Sequence, residues 1–292
     1  MRRTRRPVLI GAHVSTAGGL AKAVERGVEL DCDAIQIFHQ SPRMWRPTRY
    51  TEEDFEAFRQ AMADSPLQAV VIHAVYLINC ASKEREVRRK SLTSLTHALR
   101  IGDGIDAAGV VLHAGARKGE PQGPSVRRAG KAISQALQSS ERTPLLLENT
   151  AGTQGPLGRN FDELAELIEA AGGGERLGAC LDCCHLLASG FEIRTREALA
   201  EVVDEFDAKV RLDRLLCLHV NDSKVPLGSN RDRHANLGDG ELGRKGLRPF
   251  LSEPRFDGLP ALIETPGPDG KGPDRREVRT AKRLRKEALA QR

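Results

Sequence analysis

Short apolar runs recur along the whole chain and limit what it can fold into more than any other feature. Eight can be counted. They are PVLIGAH ending at His13, AIQIF ending at Phe38, AVVIHA with His73, GVVLHAG with His113, PLLLENT with Glu148, LGACLDC with Asp182, LLCLHVND with His219 and ALIET with Glu264. From His73 onward these polar residues stand 40, 35, 34, 37 and 45 positions apart. Between the runs lie helix-like stretches such as TEEDFEAFRQAMA, VRRKSLTSLTHALRIGD, NFDELAELIEAAG and TREALAEVVDEF. Thr51 with Asp54 three positions on, and Thr195 with Glu197 in its first turn, are residues that open helices. Continuous apolar strands alternating with amphipathic helices imply a parallel sheet buried on both faces. Eight strand–helix units over roughly 250 residues suit a single (β/α)8 TIM barrel, with functional side chains at the C-terminal ends of the strands.

That architecture gathers His73, His113, Glu148, Asp182, His219 and Glu264 around one point. An open doubly wound sheet would not. The sequence shows no domain boundary, so residues 1–292 read as one domain. A basic arm (1–7) precedes the first strand, and a closing helix (275–292) places Val278, Ala281, Leu284 and Ala288 on one face. The net charge of +5 permits a nucleic-acid partner without requiring one. No apolar run approaches a membrane span, and the short run after the basic arm is a poor signal peptide. Cys32, Cys80, Cys180, Cys183, Cys184 and Cys217 lie mostly in apolar segments. They read as reduced core residues of a cytoplasmic protein, and CLDC as part of a strand, not a redox turn.

Carboxylates clustered with imidazoles, without lysine, repel one another unless a cation joins them. Histidine nitrogen and carboxylate oxygen are zinc ligands that iron or manganese also accept. The stretch RDRHANLGDGELG, residues 231–243, lies in the longest interval, between the seventh and eighth runs. It therefore overhangs the same face, and alternation puts Asp232 and His234 on one side. His185, just beyond Asp182, completes a third set. Nine candidate ligands exceed what two metals need and suit three, with Glu148 able to bridge a pair through its two oxygens.

The segments GAHVSTAGGL, HAVYLINCAS, LLENTAGTQG, CLDCCHLLASG, LHVNDSKVPLGSNRDRHANLGDGELG and IETPGPDG together resemble endonuclease IV, the family of metal-dependent apurinic/apyrimidinic endonucleases, from about Ile10 to Glu264. The resemblance implies three zinc ions. His73, His113 and Glu148 would hold the first. Glu148 would bridge to a second with Asp182, His219 and Glu264, and His185, Asp232 and His234 would hold the third. It further implies hydrolysis of the phosphodiester bond 5′ to an abasic site in duplex DNA, leaving a 3′-hydroxyl and a 5′-deoxyribose phosphate. Glu148 and Glu264 would serve catalysis, Glu264 by orienting water. Manganese or iron could replace zinc. Neither an organic cofactor nor a membrane is implied, and a monomer is the default.

Abasic DNA has no base to read, so shape and deformability must identify it. By the resemblance Arg43 in SPRMWRP, and Tyr76 with Leu77, enter the base stack. Trp45 and Arg231 join them as expected DNA contacts. Aromatic and basic residues look scarce at the other barrel loops. The chain departs from the family pattern at Val75, Ala114, Ala116 and Cys183, none of them a ligand. His13 has no ligand role, and His39 and His97 read as surface residues. Two rivals exist: a metal-dependent sugar isomerase or epimerase on a similar barrel, and a protein that binds damaged DNA without cutting it. Neither has a use for everything present. The first needs no third ligand set, and the second needs no intact metal set.

Overall fold

In the computed structural model, which describes residues 7–291, the eight runs become eight parallel strands. They are β1 (Leu9–His13), β2 (Ala34–Phe38), β3 (Ala69–His73), β4 (Gly109–Leu112), β5 (Leu145–Glu148), β6 (Leu177–Asp182), β7 (Leu215–His219) and β10 (Pro260–Ile263). Each pairs with its sequential neighbour among these eight, and β10 pairs with β1 to close a barrel. Helices fill the intervals: α1 (Leu20–Glu29), α2 (Glu52–Ala63), α3 (Arg85–Gly104), α4 (Gln122–Leu137), α5 (Phe161–Ala170), α7 (Arg196–Lys209), α8 (Gly243–Ser252) and α9 (Arg275–Ala290), with the short α6 (Cys183–Ala188) directly after β6. This is the (β/α)8 barrel. Thr51 and Asp54 form a reciprocal capping box at α2, and the Thr195 hydroxyl accepts from the Ala198 N–H at α7. Apart from Pro7, the basic arm lies outside the described residues. No helix among the described residues is long and apolar enough to cross a membrane. All six cysteines are buried and unpaired.

Period-two alternation along the strands sorts their residues between two cores. Ile35, Ile37, Val70, Ile72, Val110 and Leu147 belong to the main core shared with the helices. The residues between them point into the barrel. A separate apolar plug takes one residue from each strand: Leu9, Ala34, Val71, Val111, Leu146, Cys180, Cys217 and Leu262. Two positions beyond seven of these come Gln36, His73, His113, Glu148, Asp182, His219 and Glu264. On β1 the equivalent residue is His13, level with Gln36. An apolar floor therefore carries a polar ring, and every strand contributes to both.

Two small elements sit above that ring. Asp182 ends β6 and caps the short helix α6 (Cys183–Ala188), accepting from the His185 N–H at 2.8 Å. After β7 the chain forms β8 (Asp222–Ser223), which pairs antiparallel with β9 (His234–Ala235).

Candidate metal centre

The structure brings all nine candidate ligands together. Glu148 is at the middle, its two oxygens facing different partners. Oε2 lies 3.3 Å from His73 Nε2 and 2.8 Å from His113 Nε2. Oε1 lies 3.0 Å from His219 Nδ1, which is also 3.2 Å from Glu264 Oε2 and 3.9 Å from Asp182 Oδ2. In the third set, His185 Nε2 and His234 Nε2 each lie 3.3 Å from an oxygen of Asp232. Ligand atoms bound tetrahedrally at about 2.1 Å stand roughly 3.4 Å apart, so these separations suit shared cations. The buried nitrogens His185 Nε2 and His234 Nε2 have no hydrogen-bond partner among the described residues, as nitrogens kept for a metal would not. Backbone carbonyls accept from the other ring nitrogen of two histidines: Ala74 from His73 Nδ1 at 2.7 Å and Asn149 from His185 Nδ1 at 3.0 Å. This leaves Nε2 of each free to ligate. The residues present therefore fit metal ions.

The charges point the same way. Burial pushes the Glu148 carboxyl up, but the imidazoles of His113 and His219 outweigh it and hold the group well below the usual range. Glu264, equally opposed by burial, is brought down to about 2 by His219 and His73. Burial lowers His219 and His185, yet both end well above the ordinary imidazole value. Glu264 and Glu148 raise the first, and Asp182 and Asp232 the second. In the metal-free chain, protons on His219 and His185 supply positive charge beside the carboxylates.

The glycine-rich stretch after His234 has a specific cause. Asp222 is fully buried, and its carboxylate accepts from the backbone N–H of Ser223 at 2.8 Å, Gly238 at 2.9 Å, Gly240 at 3.0 Å, Leu242 at 2.9 Å and Gly243 at 3.1 Å. A Cβ on Gly240 would meet the Ser223 carbonyl at 2.3 Å. The loop wraps one buried carboxylate, and β9 leads into that wrap with His234 Nε2 3.3 Å from Asp232 Oδ1.

Sequence reasoning missed Gln36, Asn149, Asn221 and Asp222. Asn221 Nδ2 donates to Asp182 Oδ2 at 2.6 Å, and Asn149 Oδ1 accepts from the Asp182 N–H at 2.6 Å. Counting in twos along AIQIF would have found Gln36, which occupies the inward position that histidine or carboxylate fills elsewhere. His39 is a correction. It is fully buried, with Nε2 3.0 Å from Ser94 Oγ on α3. His97 is half-buried and donates through Nε2 to the Thr48 carbonyl at 2.8 Å.

Of the expected DNA contacts, Arg43 and Arg231 are exposed and Tyr76 is 62% exposed. Leu77 and Trp45 are half-buried against the core. A groove of about 1040 Å3 is lined by Arg43, Tyr76, His13 and Glu264. Cationic loops are not confined to that side. Arg117, Lys118 and Arg159 line a cleft of about 710 Å3 between the loops after β4 and β5.

Residues 24–288 match the family model described as Xylose isomerase-like TIM barrel, that of the AP endonuclease 2 family. The chain is 39% identical over 263 residues to the probable endonuclease 4 of Geobacter sp. (strain M21), covering 89% of this chain and 93% of that one. Against the probable endonuclease 4 of Citrifermentans bemidjiense it is 39% identical over 279 residues, 95% and 98% of the two chains. The chain belongs to the endonuclease IV family. The crystal structure of endonuclease IV from Thermus thermophilus superposes with a TM-score of 0.83 at 34% identity, covering 96% of this chain and 98% of that one. A D-tagatose 3-epimerase-like protein also superposes, with a TM-score of 0.71 at 19% identity over 96% and 97% of the chains. At that identity the likeness is one of fold alone.

Proposed function

We propose that the protein hydrolyses the phosphodiester bond 5′ to an abasic site in duplex DNA, leaving a 3′-hydroxyl and a 5′-deoxyribose phosphate, with three metal ions held by the nine residues above. Membership of the endonuclease IV family makes it a DNA-repair endonuclease of the AP-endonuclease type. The bond cut, the ion count and the residue roles are the proposal. One observation carries it: Glu148 turns one oxygen to His73 and His113 and the other to His219.

His73, His113 and Glu148 would hold one ion, Glu148, Asp182, His219 and Glu264 a second, and His185, Asp232 and His234 a third. Bound zinc, or manganese or iron in its place, supplies an activated water near neutral pH and polarises the scissile phosphate. Glu264 orients that water as an acceptor. His113, His234 and Asp232 keep 28%, 19% and 42% of their side-chain surface exposed, so the phosphate approaches on their side. Arg43, Tyr76 and Leu77 open the base stack at the lesion, Trp45 is a further DNA contact, and Arg231 steadies the phosphate backbone. No organic cofactor enters this scheme, and a monomer suffices. Six unpaired cysteines favour a cytoplasmic setting.

A duplex carrying one tetrahydrofuran abasic analogue tests the reading. We expect a single nick 5′ to the analogue with a 3′-hydroxyl end, lost on chelation and restored by zinc or manganese. A nick elsewhere, or full activity after verified metal removal, contradicts it. The third ligand set argues against a sugar isomerase, and the intact ligand set against a non-cutting binder.

A further inference from the structure

Six of the eight strand ends in the polar ring supply proposed ligands. The other two, β1 and β2, supply His13 and Gln36. Gln36 is fully buried and cannot touch DNA. Its amide makes three contacts, two of them with proposed ligands and one with His13. Nε2 lies 2.6 Å from Glu264 Oε1 and 3.1 Å from His13 Nδ1, and Oε1 lies 2.9 Å from His219 Nε2.

Donor and acceptor rules fix where the hydrogens are. An ionised carboxylate only accepts, so the Gln36 nitrogen must be the atom facing Glu264. That nitrogen has a second hydrogen, which His13 Nδ1 accepts as a lone-pair nitrogen. The Gln36 oxygen, turned the other way, accepts from His219 Nε2, which must therefore carry a hydrogen. Nδ1 is then the nitrogen that His219 can offer to a cation, and it is the one facing Glu148 and Glu264.

We infer that Gln36, oriented by His13, selects the metal-binding nitrogen of His219 and holds Glu264 beside it, acting as a positioning residue for the second metal site. The inference rests on the metal reading above. Two amides bracket Glu264: Gln36 on Oε1, and Asn221 Nδ2 on Oε2 at 3.3 Å. The Gln36 oxygen is the sole hydrogen-bond partner of His219 Nε2 among the described residues. A residue that only filled space would not need this amide orientation.

The test compares wild type with Gln36→Met, which keeps the length and loses every hydrogen bond, and with Gln36→Asn, which keeps the amide one methylene short. Zinc is removed stepwise with graded chelator, and the metal remaining is counted. Long-range 1H–15N spectra of 15N-histidine-labelled, zinc-loaded protein report the His219 tautomer. For Gln36→Met we expect one zinc to be held about 10- to 100-fold more weakly, the scale seen when a ligand's outer hydrogen bond is lost. The other two should be unchanged, and the His219 signal should lose its single Nε2–H pattern. His13→Ala should weaken the same zinc by less. If Gln36→Met does not fold, Gln36→Asn should show the same selective loss. Retention of all zinc at wild-type affinity, together with an unaltered His219 pattern, overturns the proposal. A uniform loss of all three ions also overturns it. A wild-type protein that binds no zinc defeats the metal reading instead.

Discussion

Glu148, Asp182 and His219 stand on strand ends above the apolar plug and are fully buried. Asp232 and His234 ride on a loop and keep 42% and 19% of their side-chain surface exposed. The floor inherits its geometry from eight hydrogen-bonded strands, whose alternation aims each side chain inward. The rim must import its geometry, and it does so through Asp222, a carboxylate that binds no candidate metal position but gathers five backbone N–H groups. A floor site is set by the barrel, whereas a rim site is only as firm as its loop. The rim metal should therefore be the first to leave and the easiest to disturb alone.

The largest effect should come from the floor. Glu148→Gln removes a charge where two cations would face each other. We expect turnover to fall at least about 10^3-fold, equivalent to roughly 4 kcal/mol of transition-state stabilisation. DNA binding should persist, since the proposed DNA contacts Arg43 and Arg231 are left in place. Retention of a tenth of wild-type turnover would mean that Glu148 does not join two sites. Next is Asp222→Ala, which releases the loop without touching a ligand. Zinc at the rim should weaken about 10- to 100-fold, as for loss of supporting hydrogen bonds, while the floor ions stay. Counting bound metal after mild chelation decides this, and equal loss from both regions would erase the distinction.

Smaller in size is the wedge. Replacing Tyr76 and Leu77 by alanine should cut the preference for abasic over intact duplex at least about tenfold, or roughly 1.4 kcal/mol. The slope of binding against salt should not change, because phosphate contacts set it. Tyr76→Ala alone should leave Tm nearly unchanged, since the side chain is 62% exposed. A collapsed Tm with intact preference would assign Tyr76 to the core.

The smallest effect concerns pH in the metal-free protein. His219, His185 and His73 have raised pKa values. Their stabilisation is fully present below the unfolded value of 6.5 and is lost as pH rises through the folded values. Glu148 and Glu264 are lowered, so their share is present above 4.5 and is lost as pH falls, for Glu264 through about 2. Burial lowers His13 to about 4 and His39 to about 3, so their share is present above 6.5 and is lost as pH falls. Metal-free Tm should therefore be highest near pH 6.5 and decline above it. Zinc, which replaces those protons, should flatten the decline. A metal-free Tm that climbs from pH 6 to 8 would contradict the ion-paired state.

The barrel was legible because buried parallel strands must be continuously apolar, so eight runs stood out. Six of the ring positions were legible too, because histidine and carboxylate at a strand end are chemically conspicuous. Gln36 escaped because an amide is not a metal ligand and AIQIF reads as a run that ends at Phe38. Asp222 escaped because nothing local distinguishes a carboxylate that collects distant N–H groups from one in solvent. His39 was misread for a related reason: its partners Ser94 and His97 lie on α3, more than fifty residues away. Alternation along a strand is written locally, and packing between distant segments is not.

The most direct test of the central claim is to titrate the metal-free protein with zinc, counting bound ions and measuring abasic-site nicking on the same samples. Saturation is expected near three ions per chain, two tight and one weaker, with nicking appearing only as the last is taken up. Full activity at one ion per chain, or saturation at one, would contradict it.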